Sequence, residues 1–566
     1  MADDTGIFEI PSEIENGIRK RDFTSGKERT GCRYLSNALP LVSHSRFAHS
    51  QICDGKEVEL LTKITTATLF FAILVSGCAS IPMRESRVPS GAMERLHGEL
   101  ASRFNDPEFF NAFWGVKIQS LSTGEIVYEQ NPNKSFMPAS NLKLYTTSAA
   151  LTELTPEFKY VTTLETDGTV NDGVLTGDVY LKGSGDPTIC GRYNGGNVIL
   201  TFQQWADSLK AEGIKEIDGN IVGDNSAFDG SSYGNGWAAD YETDWYAAQI
   251  GGIAFNDNCV DMTVTAGDSV GAPAKISWNP STDYIKVVNE TVTTPPDSTP
   301  PGYYISFQRI WNKNVVHVSG HFPRNQPPWH ESISVDDPAL YAVTVMKEVF
   351  EQDGIKVDGK VEDIRGTKTK PEYAAATTLA IYTSPPLSEI ATTINKRSQN
   401  LYAEQLFRTM GMVFYGHGNM ETGRAVAYPL FTHWGIDTTR IQMHDGCGLS
   451  PDDMVSPAST VAVLTAMYHS KIFKPFYESL PIAGVDGSLR YRMKGTAAEN
   501  NVHAKTGTIE HVSSLSGYVT DKDGQTFVFS IMVNHFTVPT SLAEKLEDGV
   551  CERLASFSAK EGVDGR

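Results

Sequence analysis

The stretch Pro138–Lys143 reads Pro-Ala-Ser-Asn-Leu-Lys and places Ser140 and Lys143 three residues apart. Pro138 cannot continue a helix towards its own N-terminus, and serine is a favoured helix cap, so we expect a helix to begin at Ser140. Leucines and alanines after Lys143 give this helix an apolar face, and Pro156 ends the pattern. The stretch therefore predicts a buried helix that carries a serine and a lysine in its first turn.

A serine and a lysine at positions i and i+3 of a helix share one face. The amine can take the proton of the hydroxyl if the lysine is neutral, which burial and crowding by other charges favour. The motif alone is weak, because most such pairs are a capping serine and a solvated lysine. The rest of the chain has to decide between catalysis and helix capping.

Two further short motifs follow in the chain. Ser398–Asn400 reads Ser-Gln-Asn and opens a predicted helix, and Lys505–Thr508 reads Lys-Thr-Gly-Thr and precedes a predicted hairpin. A second Ser-x-Asn match at Ser277 lies in a strand-like run that Pro280 ends, so its context differs. Taken singly, each motif is explained by a helix cap or a strand edge, and only the order of the three carries weight.

This order resembles the signature of the penicillin-binding proteins and serine β-lactamases, Ser-x-x-Lys, Ser-x-Asn and Lys-Thr-Gly. The flanking segments Val179–Thr188, Asn256–Val260, Asp445–Ser450 and Lys505–Thr508 are similar to the D-alanyl-D-alanine carboxypeptidase/endopeptidase family S13, the penicillin-binding protein 4 type. The resemblance covers about residues 84–555.

The long separation of the first two motifs fits this family, because Ser140 and Ser398 are 258 residues apart. Strand and turn signals dominate residues 161–375, and helical patterns return on both sides. The resemblance implies an α/β (α+β) serine transpeptidase/β-lactamase-like domain. We expect residues 84–160 and 376–566 to form this catalytic domain, and residues 161–375 to be a long insertion of one or two β-rich domains, II and III.

The resemblance also implies a role for each motif residue. Ser140 would attack the carbonyl of the penultimate D-alanine and form an acyl-enzyme, with Lys143 as the general base. Ser398 would relay a proton to the leaving amine, and Asn400 would bind the amide side of the substrate. Lys505 would supply a positive charge for the terminal carboxylate.

The residues around Lys505 are expected to complete the substrate site. Thr506 and Thr508 would add hydroxyl donors, and Gly507 would let the strand backbone approach the substrate closely. The backbone N–H groups of Ser140 and Thr508 would form the oxyanion hole, which is typically worth about 3–4 kcal/mol per donor.

The sequence departs from the family pattern where the peptide side chain would bind. Cys447 and Pro451 replace a serine and an arginine that are usual in the family, and Glu510 stands where an uncharged residue is common. Because that arginine is thought to hold the acidic side chain of the stem peptide, a preference for diaminopimelate-type stems is not implied.

Three other residues are carried over as substrate-binding candidates. Asp224 and Phe228 resemble a family segment that reaches the site from the insertion, and Asp445 is expected to shape the wall of the site.

The main prediction is a serine-type D-Ala-D-Ala carboxypeptidase and DD-endopeptidase that acts on peptidoglycan stem peptides and is inhibited covalently by β-lactams. A β-lactamase-like hydrolase is one alternative, disfavoured by the insertion and by the lack of a recognisable Glu-x-x-Leu-Asn element. A non-catalytic penicillin-binding scaffold of the cell wall is the other, disfavoured by the intact motifs. The oligomeric state is left open, a homodimer included.

Composition excludes some other functions. The net charge of −20 leaves no basic stripe for nucleic acid. The sequence has neither a Cys-x-x-Cys nor a His-Glu-x-x-His motif, so we expect no metal and no cofactor. In an exported chain Cys190, Cys259, Cys447 and Cys551 are equally compatible with one or two disulfides and with four buried thiols.

Residues 60–77 are predicted to be a lipoprotein-type signal peptide. The apolar run Ala67–Val75 has nine residues, too few to span a hydrocarbon layer of ~30 Å. Small residues before Cys78 resemble a lipobox, so we expect Cys78 to carry lipid and to anchor the exported protein in the periplasm, at the outer membrane; an ordinary signal peptide is the alternative. Residues 1–59 are interpreted as a miscalled start.

Overall fold

The structure is a computed structural model that describes residues 91–298, 304–367 and 371–560. The predicted signal peptide, Cys78 and the upstream residues 1–59 lie outside the described residues. None of the described helices combines the length and the apolar character needed to cross a membrane.

The helices and strands fall into three consecutive parts of the chain. The first part supplies α1 (Gly91–Phe104), β1 (Phe113–Ser120), β2 (Ile126–Gln130) and α2 (Leu142–Glu153). The middle part supplies β3 (Val161–Thr166), β4 (Thr169–Asn171), β5 (Val174–Thr176), β6 (Val179–Lys182), α3 (Leu200–Ala211), β7 (Glu216–Ile217), β8 (Ile221–Asp224), β9 (Cys259–Thr265), β10 (Lys275–Asn279), β11 (Lys286–Thr294), β12 (Tyr304–Arg309), β13 (Val315–Pro323), β14 (Trp329–Ser334), α4 (Pro338–Gln352), β15 (Lys356–Val357), β16 (Val361–Asp363) and β17 (Thr377–Thr383). The last part supplies α5 (Leu387–Arg397), α6 (Asn400–Tyr415), α7 (Met420–His433), α8 (Pro457–Tyr468), α9 (Phe473–Ser479), β18 (His503–Ile509), β19 (Val512–Thr520), β20 (Thr526–Asn534) and α10 (Thr540–Ala555).

The two ends of the described chain share one antiparallel sheet, in the order β18-β19-β20-β1-β2. Side chains of β20 alternate between two cores, because successive residues of a strand point to opposite faces. Phe529 and Ile531 join the core beneath α1 and α10, whereas Val528 and Met532 join the core that contains α2, α6 and α8. The sheet is therefore covered by helices on both faces.

The middle part of the chain forms four sheets of its own. Two mixed sheets have the orders β16-β8-β6-β3-β17 and β15-β7-β5-β4, and two three-stranded sheets have the orders β10-β9-β14 and β11-β13-β12. These sheets and the helices α3 and α4 share a separate apolar core. Thr383, at the end of β17, pairs with Val161, at the start of β3, so the chain leaves and re-enters the helical part at adjacent points.

The four cysteines within the described residues are unpaired and buried: Cys190, Cys259, Cys447 and Cys551. Of the two arrangements that the sequence left open, the structure contains the four buried thiols.

Candidate active site

Ser140 lies in a single 3-10 turn, Ala139–Asn141, that runs directly into α2. The expected capping role is wrong, because the Ser140 hydroxyl accepts a hydrogen bond from Lys143 Nζ at 2.8 Å instead of accepting one from a helix N–H. Ala139 has a left-handed backbone with φ of +45°, a conformation that costs a non-glycine residue of order 1–3 kcal/mol. The nucleophile candidate thus sits on a strained turn that its surroundings must hold in place.

Neighbouring strands hold this turn. Asn141 Nδ2 donates to the backbone oxygens of Lys505 at 3.1 Å and Ser514 at 3.3 Å. Ser514 Oγ donates to the backbone oxygen of Pro138 at 2.7 Å. The turn is therefore fixed against β18 and β19, two strands that are distant from it in the sequence.

Lys143 is fully buried, and its ammonium has three oxygen partners. Nζ donates to Ser140 Oγ at 2.8 Å, to Asn400 Oδ1 at 2.6 Å and to the backbone oxygen of Cys447 at 2.8 Å. Burial lowers the pKa of Lys143, while the nearby Cys447, Asp445 and other acidic groups oppose this change. A lysine in this environment loses its proton more easily than one in water.

The second motif joins two helices. Ser398 follows α5 with a left-handed φ of +57°, and Asn400 is the first residue of α6. Asn400 Nδ2 donates to the backbone oxygen of Tyr246 at 2.8 Å, while its Oδ1 accepts from Lys143. Both ends of this amide therefore contact protein in the structure, whereas the sequence predicted a contact with substrate.

The third motif lies on the edge strand β18 of the sheet. Lys505 is fully buried, and its Nζ donates to Ser398 Oγ at 2.9 Å and to the backbone oxygen of Thr506 at 2.8 Å. Burial lowers the pKa of Lys505 well below its usual range, and the charge of Lys143 lowers it further. The two lysines therefore compete for protons within one buried site.

Gly507 allows β18 to lie directly against the nucleophile turn. A Cβ atom at this position would lie 2.4 Å from Ser514 Oγ, 2.8 Å from the backbone oxygen of Pro138 and 2.9 Å from the backbone nitrogen of Ser140. These separations are shorter than real Cβ contacts. The close approach that glycine permits is thus to the protein's own turn, beside the exposed Thr508.

Thr506 borders the site through a neighbouring loop. Its Oγ1 lies 2.7 Å from Ser488 Oγ. Ser488 has no motif signal of its own, and sequence reasoning missed it.

Asp445 organises the wall of the site from within. Its Oδ1 accepts from the backbone N–H groups of Cys447 at 2.9 Å and Gly448 at 2.5 Å, and its Oδ2 accepts from Ser450 N at 2.7 Å and Trp237 Nε1 at 2.8 Å. The carboxylate therefore holds a buried loop in place, and its role in the wall of the substrate site stays a prediction.

Glu404 is a buried acid that sequence reasoning missed. It lies one helical turn after Asn400 on α6, and its Oε1 accepts from Gly446 N at 2.5 Å. Burial raises the pKa of Glu404 to about 7, with Asp445 adding to the rise and Arg408 opposing it. Its spacing of four residues from Asn400 is the signal that could have revealed it.

Ligand atoms of Glu404, Asp445 and Cys447 lie within 4.8 Å of one another, which is a spacing compatible with a metal ion. The Asp445 oxygens already accept four N–H groups, and the Lys143 ammonium lies next to Cys447. This donor set does not fit a cation, and we assign it no metal.

The two substrate-binding candidates from the insertion, Asp224 and Phe228, contact other protein groups. Asp224 is buried at the end of β8, where its Oδ2 accepts from Tyr373 OH at 2.5 Å. Phe228 is buried in the helical core against Gly185 and Gly418. Pro451 and Glu510, the two departures from the family pattern, are exposed.

The fold and the paired serines and lysines define a class, the serine hydrolases that work through an acyl-enzyme. Residues 96–555 match the sequence model of the D-Ala-D-Ala carboxypeptidase 3 (S13) family, and the chain belongs to this family.

Two curated relatives extend over most of the chain. A D-alanyl-D-alanine carboxypeptidase of Actinomadura sp. (strain R39) is 30% identical over 488 residues, 84% of this chain and 87% of that protein. The D-alanyl-D-alanine carboxypeptidase DacB of Haemophilus influenzae is 26% identical over 426 residues, 75% of this chain and 85% of that protein.

Among solved structures, penicillin binding protein 4 (dacB) from Haemophilus influenzae has a TM-score of 0.69 at 24% identity, covering 81% of this chain and 99% of that chain. A structure of the same protein in complex with a novel β-lactam has a TM-score of 0.65 at 23% identity, with the same coverage. The predicted family, the predicted fold class and the predicted serine D-Ala-D-Ala carboxypeptidase activity are confirmed.

Proposed function

We propose that Ser140 is the acyl nucleophile of this DD-peptidase and that Lys143 is its general base. The observation that carries the proposal is the 2.8 Å contact between Lys143 Nζ and Ser140 Oγ, made by a lysine whose pKa burial lowers. Neutral Lys143 takes the hydroxyl proton as Ser140 Oγ bonds to the carbonyl carbon of the penultimate D-alanine.

Ser398 and Lys505 then serve the leaving group. The C–N bond breaks, and the proton that Lys143 took from Ser140 passes to the amine of the terminal D-alanine through the hydroxyl of Ser398, which already accepts a hydrogen bond from Lys505 at 2.9 Å. Lys143 is then neutral again for the attack of water. The carboxylate of the same D-alanine gives Lys505 a counter-charge, which favours the protonated lysine that burial alone disfavours. Water afterwards hydrolyses the acyl ester and releases the shortened peptide.

The oxyanion hole is proposed at the junction of α2 and β18. The close packing of Gly507 against Ser140 N supports a pair of donors formed by the backbone N–H groups of Ser140 and Thr508. Thr506 and Thr508 border the same place and are the proposed hydroxyl donors to the substrate.

The substrate is a peptidoglycan stem peptide that ends in D-alanyl-D-alanine, and β-lactams are covalent inhibitors at the same serine. With Pro451 in place of an arginine and an exposed Glu510, the surface offers no added positive charge to the third stem residue at these two positions. We therefore propose that an acidic group on that residue contributes little to affinity.

We also propose the division of the chain and its location. Residues 84–160 and 384–566 form the catalytic domain, since β17 pairs with β3 of the insertion and the return falls after Thr383, eight residues later than the expected boundary at 376. Export to the periplasm and lipidation of Cys78 remain parts of the proposal that rest on the sequence alone, and the oligomeric state stays open.

A fluorescent penicillin tests the proposed roles. The chain from Cys78 onward and its Ser140→Ala variant are incubated with the drug, and the adduct is located by peptide mass. We expect a stable adduct on Ser140 that is absent from the variant. Rapid turnover of the drug would favour a β-lactamase, and a folded protein without any adduct would favour a wall-binding scaffold.

A further inference from the structure

Three consecutive residues of the insertion have a left-handed backbone. Asn256, Asp257 and Asn258 have φ angles of +46°, +54° and +56°. Asparagine and aspartate tolerate this conformation better than most residues, but each position is still strained. A run of three is maintained only where the surroundings determine it.

The two asparagines lock the turn into the insertion. Asn258 accepts from Phe255 N at 3.0 Å and donates to the backbone oxygen of Gln249 at 2.7 Å. Asn256 Nδ2 donates to the backbone oxygen of Cys259 and to Asp261 Oδ2, both at 3.1 Å. The side chain between them, Asp257, has different partners.

Asp257 instead points at the second catalytic motif. Its Oδ2 accepts from Gln399 Nε2 at 3.1 Å, and Gln399 is the middle residue of Ser398–Asn400. Arg192, also in the insertion, binds the same carboxylate through two nitrogens at 2.9 and 3.2 Å. Arg192 NH1 in addition donates to Tyr402 OH at 2.8 Å, so the pair contacts the motif and the helix that follows it.

This contact lies where the motif has least support of its own. Ser398 has a left-handed backbone and Gln399 an extended one, so the segment between α5 and α6 departs from helical geometry, and the helix that follows reaches it through a long hydrogen bond of 3.4 Å from Ala403 N to the backbone oxygen of Gln399. Gln399 is buried, and its amide is held by a carboxylate 142 residues away in the chain. A shift of this segment would move the hydroxyl of Ser398 away from Lys505.

We propose that Asp257, held by Arg192, is a positioning residue that fixes Ser398 for catalysis by binding Gln399. The inference rests on the proposed role of Ser398. The insertion then completes the catalytic geometry of the second motif.

Loss of Asp257 affects both stability and geometry. The Arg192 and Asp257 side chains are only 25% and 21% exposed, so removal of the carboxylate leaves a largely buried guanidinium without its counter-charge and lowers the melting temperature. A displaced catalytic group can in addition cost up to about 100-fold in rate. The kcat of the folded variant, measured well below its melting temperature, therefore reports the positioning role.

The test uses Asp257→Gly, because glycine keeps the left-handed backbone and removes only the side chain. The matched control is Asp172→Gly, an exposed left-handed aspartate between β4 and β5. For D-alanine release from a D-Ala-D-Ala peptide we expect the kcat of Asp257→Gly to fall by roughly 10-fold to 100-fold with KM within about threefold. The control should keep the wild-type kcat and melting temperature, and Asp257→Gly should melt lower but remain folded at the assay temperature.

A double-mutant cycle tests the route of the effect. If Asp257 acts through Gln399, then Gln399→Ala and the double variant with Asp257→Gly should have the same reduced kcat. Additive losses of kcat in the double variant would overturn the proposal, as would a wild-type kcat for Asp257→Gly. Should the glycine variant unfold, Asp257→Asn takes its place, with an intermediate kcat expected and a wild-type kcat overturning the proposal. Ser398→Ala is measured alongside as a test of the proposed role of Ser398 itself. Full activity of Ser398→Ala would overturn that role. A reduced kcat for Ser398→Ala together with a wild-type kcat for Asp257→Gly would overturn only the positioning role of Asp257.

Discussion

At the scale of single residues, the site contains ionisable side chains that are buried, where a charge is energetically unfavourable. Lys143 and Lys505 are fully buried beside each other, and Glu404 and Asp445 lie behind Lys143. Burial lowers the pKa of both lysines and raises the pKa of Glu404. Catalysis by an amine and stability of the fold are therefore both expected to depend on pH.

The first prediction concerns Lys143→Arg. Arginine keeps the positive charge but does not deprotonate in proteins, so it cannot accept the Ser140 proton. We expect acylation by a fluorescent penicillin to slow by roughly 10²–10⁴-fold, the usual contribution of a general base. In the wild type the acylation rate should rise with pH as Lys143 loses its proton. An arginine variant that acylates at the wild-type rate would remove Lys143 as the base.

The second prediction concerns Glu404→Gln and the pH dependence of stability. The folded pKa of about 7 lies above the ordinary value of 4.5, so the folded state binds the proton more tightly. The stabilisation from this proton is complete below the ordinary pKa and is lost as pH rises to about 7. Urea unfolding at pH 5 and pH 8 should show the wild type losing up to about 3 kcal/mol more than Glu404→Gln over this interval. Parallel losses in the two proteins would contradict the prediction.

At the scale of elements, the site is assembled where a helix turn meets the edge of a sheet. The turn Ala139–Asn141 is held by β18 and β19, and Gly507 lets the strand touch the turn. The two contacts join residues more than 360 positions apart in the chain. The geometry at Ser140 is thus a property of the packed pair of elements.

The third prediction compares two glycines. Gly507→Ala should slow acylation and destabilise the protein by about 1–3 kcal/mol, because its Cβ would overlap Ser514 Oγ and the turn of Ser140. Gly98→Ala, on α1 with no atom within 4 Å of its Cβ, should stabilise the helix by up to about 1 kcal/mol. Melting temperatures and acylation rates of the two variants check this, and equal behaviour would refute the packing argument.

Sequence reasoning identified the candidate catalytic residues, because their proposed chemistry requires particular side chains. The pairs Ser140–Lys143 and Ser398–Lys505 follow from short motifs in a fixed order, and the structure brings them together. It missed Glu404, because the spacing of four residues from Asn400 is a weak signal that does not show the side chain to be buried. Asp257 was part of a recognised segment, but its contact with the second motif depends on packing between distant segments.

One expectation failed for a local reason. The cap at Ser140 was wrong because the hydroxyl is bound by Lys143 instead of a helix N–H. The contact of Asn400 with substrate stays a prediction, and the structure adds that its amide binds Lys143 and the backbone oxygen of Tyr246. A sequence motif specifies the residue type at a position, whereas the hydrogen-bond partners of that residue depend on the neighbours that folding brings to it.

At the scale of the whole molecule, the chain enters and leaves the insertion at adjacent residues, and side chains of the insertion pack into the helical core. Val161 pairs with Thr383, and Phe228, Ala247 and Ile250 join the core around α2 and α6. The backbone of the insertion also accepts hydrogen bonds from three polar side chains of the buried face of α6, those of Asn400, Gln405 and Arg408. The insertion and α6 therefore stabilise each other.

The fourth prediction follows from this mutual packing. Replacing Val161–Thr383 by a short Gly-Ser turn joins residues that are already adjacent, so the chain can close without strain. The shortened protein should nevertheless melt well below the wild type and acylate penicillin at least about tenfold more slowly, because the polar face of α6 loses its partners. Thermal melting and acylation kinetics measure both effects, and wild-type values for both would show that the insertion is only an appendage.

The buried thiols make the enzyme suitable for site-specific labelling. Cys190, Cys259, Cys447 and Cys551 have at most 2% of their surface exposed, and burial raises the pKa of each. In a chain that starts after Cys78, a maleimide should therefore react with a single introduced cysteine. Tyr491→Cys places that cysteine on an exposed loop three residues from Ser488, which touches Thr506. A dye at this position would report the arrival of a peptide or a drug in real time.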